Sequence, residues 1–192
     1  IWMILLVFVL LLGGSYLLYN KLGQKVSPNQ LAVQESSSDN SGKANTETES
    51  EKVLAPDFTV YDLEGNEAHL SDYVGKPIVL NFWASWCGPC QMEMPDFHEK
   101  YLKLKDEVHF LMVNMTDGSR ETVDTASSFV EEQGYSFPVF YDKDSDAAAT
   151  YGVHSLPTTY FIDAEGYAVA QVAGAIDAEV LQKGIDMALE SE

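Results

Sequence analysis

The chain has two cysteines, Cys87 and Cys90, three residues apart within FWASWCGPCQMEMP at positions 82–95. Such a pair has three chemical uses: reversible thiol-disulfide exchange, half of a metal site, or a structural cross-link. A cross-link across so short a loop takes little entropy from the unfolded chain, and scaffolds that depend on disulfides are richer in cysteine. A closed zinc site needs four ligands, but there is no second C-x-x-C, and His69, His98, His109 and His154 lack a paired metal spacing. Thiol exchange is the use these residues favour.

That chemistry needs a stabilised thiolate, and the flanking sequence predicts a place for one. PIVLNFWA, residues 77–84, is an almost unbroken apolar run, as in a strand buried on both faces. Beyond Cys87, the residues Met94, Phe97, Tyr101 and Leu104 recur at intervals of three or four, which predicts a helix. Cys87 therefore falls at a strand-to-helix junction. Free backbone N–H groups and the positive end of the helix dipole favour its thiolate there and lower its pKa below the roughly 8.5 of free cysteine. Cys90, one turn on, is expected to be shielded and to attack second. Gly88 relieves crowding in the turn, and Pro89 is tolerated in a first helical turn, where no N–H bond is lost.

The remaining elements must hold this junction in place. DFTVYDLEGNEAHLSDY (57–73) predicts a hairpin about its Glu-Gly-Asn turn, and VHFLMVNM (108–115) predicts a second central strand. A helix closing at Gly134, a short strand at FPVFYD and a short helix at DAAATYG follow. TTYFID and YAVAQVAG, joined at Ala164-Glu165-Gly166, predict a second hairpin, and DAEVLQKGIDMALE a final helix. Strands alternating with helices and closed by a hairpin indicate an α/β fold with a mixed sheet.

Two segments precede this domain. Residues 1–19, IWMILLVFVLLLGGSYLLY, are uncharged and as a helix would reach about 28 Å, which favours an uncleaved membrane anchor. The alternative is a cleaved signal peptide, whose apolar region is usually shorter and ends in a small-residue cleavage site not evident here. Lys21 and Lys25 on its C-terminal flank do not decide orientation without an opposing flank to weigh against them. Residues 20–52 are polar and poor in large apolar side chains, which predicts a flexible tether with a span of about 30 Å. Residues 53–192 form the expected folded domain. It holds 25 acidic and 7 basic residues, −18 of the chain's net −19. Such a charge excludes nucleic acid as a partner and disfavours docking on anionic lipid.

FWASWCGPC followed by Pro95 resembles the active site of the thioredoxin superfamily. APDFTVYDLEGNEAHLSDYVGKPIVLNFWASWC and GVHSLPTTYFID, with the anchor and the extra helix and strand near 121–141, resemble the membrane-anchored TlpA/ResA-like thiol-disulfide oxidoreductases of the AhpC/TSA-redoxin kind. The resemblance covers about residues 53–190 and implies a thioredoxin-like fold on the extracytoplasmic side of a bacterial membrane. It implies Cys87 as nucleophile, Cys90 as resolving thiol and Pro157 as a cis-proline that brings Leu156 beside the cysteines. Trp86, Gly88 and Pro89 join Leu156 and Pro157 as expected substrate contacts. Glu93 matches an acidic residue of the ResA-like proteins and is either a proton carrier for Cys90 or a helix-dipole carboxylate. Asn81 stands where thioredoxin has a buried, titratable aspartate.

The resemblance implies no cofactor, a monomer, an exported disulfide-containing protein such as apocytochrome c as substrate, and a CcdA- or DsbD-like membrane donor of electrons. The expected direction is reduction, with oxidation as the alternative. A copper chaperone using Cys87, Cys90 and His154 is a third reading. A peroxiredoxin site is not expected, because Ala84 replaces the hydroxyl residue needed three before the first cysteine.

Overall fold

The computed structural model describes residues 53–191. Among them no helix is long and apolar enough to cross a membrane; the anchor and tether expected at 1–52 lie outside the described residues. The two most apolar runs form the middle of the sheet as β4 (Ile78–Trp83), buried along its whole length, and β5 (His109–Asn114). Around them lie β1 (Val53–Leu54), β2 (Thr59–Tyr61), β3 (Glu67–His69), β6 (Val139–Tyr141), β7 (Thr158–Ile162) and β8 (Tyr167–Ala173). The helices are α1 (Gly88–Leu104), α2 (Val123–Gln133), α3 (Asp146–Thr150) and α4 (Ala178–Glu190).

The strands form one sheet in the order β1-β8-β7-β4-β5-β6-β2-β3. β4, β5 and β6 run parallel; on the other side of β4, β7 pairs antiparallel with β4 and β8 antiparallel with β7. This is a thioredoxin-like mixed sheet. The front hairpin β2–β3 is no separate appendage: its Tyr61 pairs with Tyr141 of β6, so the helix-strand insertion α2–β6 joins the hairpin to the sheet. Its second strand is shorter than the alternation suggests, because Leu70–Tyr73 turn into a 3-10 helix.

Alternation along β4 divides the core. Val79 and Trp83 face a cluster with Met94 and Phe97 of α1 and Leu181 and Ile185 of α4. Ile78, Leu80 and Phe82 face a second cluster with Phe58, Leu70 and Tyr151. The period of two in a strand requires this division. Asn81, between Val79 and Trp83, therefore shares their face and points toward α1.

Close packing at one glycine seats α4. A Cβ on Gly184 would run into the ring of Phe161 in β7. Gly184→Ala should therefore lower stability by about 1–3 kcal/mol despite the better helix propensity of alanine, because overpacking outweighs propensity here. Urea titration of the oxidised protein measures this; an unchanged midpoint would show that α4 can back away from the sheet.

Candidate active site

β4 ends at the buried Trp83, the loop that follows reaches the surface at Trp86, and α1 starts five residues after Trp83. Between them Cys87 is the N-cap of α1, and its sulfur accepts the Cys90 backbone N–H at 3.3 Å. Pro89 occupies the first turn of the helix, where its missing N–H leaves no bond unmade. Cys87 and Cys90 are joined as a disulfide with Cα atoms 5.2 Å apart, and both are buried, Cys90 the more completely. The Leu156–Pro157 peptide bond is cis. Trp86, Cys87, Gly88, Pro89 and Leu156 line one groove of about 540 Å³, while Pro157 is buried behind it at the start of β7.

Glu93 lies one turn beyond Cys90 and is only 2% exposed. It is no solubilising surface charge. Its carboxyl accepts the Ile176 backbone N–H at 2.9 Å and the Asn81 side-chain Nδ2–H at 2.8 Å. Burial pushes its pKa up to about 7, against the downward pull of those two bonds. Asn81 is thus the partner of Glu93, and it also donates to Thr159 Oγ1 at 3.0 Å while its own Oδ1 is buried without a partner. The acidic group next to the cysteines sits on α1 rather than in β4, and the strand supplies its hydrogen-bond donor.

A second buried carboxylate escapes sequence reasoning. Glu121, fully buried, accepts the Ser85 N–H, the Ser85 hydroxyl and the Asn114 side-chain N–H, each at 2.7 Å. It ties the loop that leads into Cys87 to the end of β5. In DGSRETV nothing in composition or period marks this one acidic residue as inward-facing. Its neighbour Arg120 was equally unmarked and lies over the Trp86 ring, 3.5 Å from the ring centre.

His154 lines the same groove as Cys87, yet among the described residues no group of three or more His, Cys, Asp or Glu side chains is placed to hold a metal ion. With both sulfurs joined in the disulfide, the oxidised protein presents no three-ligand set of Cys87, Cys90 and His154. Trp83 is a core residue, fully buried and packed on Phe129 of α2 with ring centres 5.9 Å apart.

Residues 52–170 match the model of the AhpC/TSA family. The chain belongs to that family. It is 41% identical over 128 residues to the thiol-disulfide oxidoreductase ResA of Bacillus anthracis, an alignment covering 67% of this chain and 72% of the relative. ResA of Geobacillus thermodenitrificans is 38% identical over 133 residues, covering 69% and 74%. Among solved structures, a putative thiol:disulfide interchange protein DsbE from Chlorobium tepidum is similar, with a TM-score of 0.64 at 31% identity over 71% of this chain and 96% of that one. The activity class of this protein is accordingly thiol-disulfide oxidoreduction.

Proposed function

We propose that the protein is a membrane-tethered, extracytoplasmic oxidoreductase that reduces disulfides in exported proteins. The observation that carries this reading is the place of Cys87: the N-cap of α1, on the wall of the groove, with Cys90 buried behind it. In the reducing direction the Cys87 thiolate attacks one sulfur of a substrate disulfide, and the other sulfur departs as a thiolate that takes a proton. Cys90 then gives up its proton and attacks the Cys87 sulfur; the reduced product leaves and the enzyme is left as the disulfide. Glu93, a buried carboxyl poised near neutrality on the same helix, is assigned to receive the Cys90 proton. Trp86, Gly88, Pro89 and Leu156 bound the path for an extended substrate segment, with the buried Pro157 supporting Leu156 from behind.

Reduction outside the cytoplasm consumes electrons that must come through the membrane. A CcdA- or DsbD-like dithiol protein is the donor we assign, with the 1–19 anchor holding the enzyme beside it and the 20–52 tether letting the domain swing between donor and substrate. Apocytochrome c awaiting haem is the substrate suggested by the ResA-like resemblance. The Gly-Pro pair between the cysteines, as in thioredoxin, supports the reducing direction, since thioredoxin stands at about −270 mV and the oxidant DsbA at about −120 mV.

The deciding experiment equilibrates the full chain, kept in solution with mild detergent, against glutathione and dithiothreitol buffers and follows tryptophan fluorescence. A potential below about −250 mV is expected. One above about −150 mV would overturn the reductase reading and make the protein an oxidant of exported thiols.

A further inference from the structure

The groove beside Cys87 carries one feature that the exchange chemistry does not use. Arg120 is the only arginine of the chain, in a domain with 25 acidic residues against 7 basic ones. It lines the groove with Cys87, its guanidinium stacked on the exposed face of Trp86 at 3.5 Å. Among the described residues no carboxylate forms an ion pair with it. Asp117, which lines the same groove, turns one carboxylate oxygen into its own loop, where it accepts the N–H groups of Ser119, Arg120 and Glu121 at 2.7, 2.8 and 3.0 Å. Those bonds also hold the Asp117 carboxyl below the usual carboxylate range.

The backbone of Arg120 is therefore anchored on both sides, by Asp117 before it and by the buried Glu121 after it, which is hydrogen-bonded to Ser85 two residues from Cys87. Its side chain is held by the ring. A guanidinium stacked through its face keeps its N–H donors at its edge, in the fork that matches a carboxylate. Cation-π contact and anchoring restrict the side chain before a ligand arrives, which lowers the entropy lost on binding.

Resting on the reductase reading, we infer that Arg120 is a specificity-determining residue of the groove: it receives an acidic side chain that flanks the substrate's reactive cysteine. On a surface whose overall charge repels acidic segments, one preorganised cation beside the nucleophile selects for a carboxylate at short range. At physiological salt the repulsion of carboxylates outside the groove is screened beyond about 8 Å, whereas a direct contact is not; Asp117, inside it, has one oxygen turned to three backbone N–H groups.

The test uses the reduced full chain and three synthetic peptides that differ only in the residue next to their single cysteine, Glu, Gln or Lys. Each cysteine is held as a mixed disulfide with thionitrobenzoate. Attack by Cys87 on the peptide sulfur releases thionitrobenzoate, whose absorbance gives the second-order rate constant. At 0.15 M salt the Glu peptide should react about fivefold faster than the Gln peptide, the worth of an exposed charge-assisted contact of about 1 kcal/mol. Arg120→Gln should bring that ratio close to one, and Arg120→Lys should keep part of it. A His154→Asn background, which removes the groove's other basic side chain, should leave the ratio in place. The ratio cancels any general change in thiol reactivity, so a merely structural role for Arg120 would slow all three peptides alike and leave it unmoved. Equal rates for Glu and Gln in the parent, or a preference that survives Arg120→Gln, overturns the inference while leaving the dithiol mechanism standing. Failure of every peptide to react would instead overturn the mechanism on which it rests.

Discussion

Cys90→Ser should accumulate as a covalent mixed disulfide with its substrate. Cys87 in this variant remains the N-cap of α1, with the helix N-H groups and dipole still favouring its thiolate, so the first attack proceeds. The second cannot, because a serine hydroxyl is far too weak a nucleophile at neutral pH to displace the product. Non-reducing electrophoresis and intact mass should show a species equal to the sum of the two chains, cleared by dithiothreitol. Cys87→Ser should trap nothing and lose turnover by on the order of a thousandfold or more, since the buried Cys90 alone has no access to the groove. Two variants with normal turnover would rule out the dithiol mechanism.

Glu93→Gln should make the protein more stable and less active, and both effects should depend on pH. The folded-state pKa of about 7 lies above the ordinary value of 4.5. Below about pH 4.5 the carboxyl is protonated whether the chain is folded or not, and costs nothing. As pH rises through 4.5 toward 7 the unfolded chain releases its proton while the folded one retains it, so stability falls, and above 7 the full loss of up to about 3 kcal/mol is in place. The glutamine substitution removes that loss. An amide cannot accept both hydrogen bonds that the carboxylate accepts: with its oxygen on the Ile176 N–H, its own N–H faces Asn81, which must turn over and leave its NH2 where Oδ1 lacked a partner, so part of the gain is offset.

Urea titrations of oxidised parent and variant between pH 4.5 and 8.5 isolate the effect, because the other carboxylates contribute equally to both and cancel in the difference. The gap between the two proteins should open with rising pH and level off above 7. A gap independent of pH would mean that Glu93 titrates normally in the folded protein. Exchange rates should move the other way. Loss of the proton acceptor should slow the Cys90 step by about tenfold or more and remove any inflection near pH 7 from its rate profile.

The pairing of these two effects explains why a domain would keep a buried acid that weakens it. Charge that costs stability in the resting disulfide becomes useful when Cys90 must lose a proton in a site closed to water, and a carboxyl poised near neutrality can take that proton and return it. Asn81 and the Ile176 N–H hold the carboxyl in place without neutralising it, so the oxygen atoms that anchor it are also those that titrate.

Much of this was legible in the sequence, where local rules decide. The apolar runs at 78–83 and 109–114 read as central strands because a strand buried on both faces has no polar alternation to keep. The three-or-four spacing after Cys87 read as a helix, and the strand-helix junction placed the cysteines at a helix N-terminus. Each of these follows from periodicity and backbone geometry within a dozen residues. What the tertiary structure decided involves partners far apart in the chain. Glu93 became a buried, near-neutral acid only once Ile176, 83 residues on, and Asn81, 12 residues back, closed around it. Glu121 turned inward because Ser85, 36 residues away, offered two donors, and Arg120 reached the nucleophile's groove on the same turn. An isolated Glu or Arg looks like a solvated surface charge in any sequence window. Its burial and its partners are set by where distant strands bring their hydrogen-bond donors, and that is a property of the packed sheet alone.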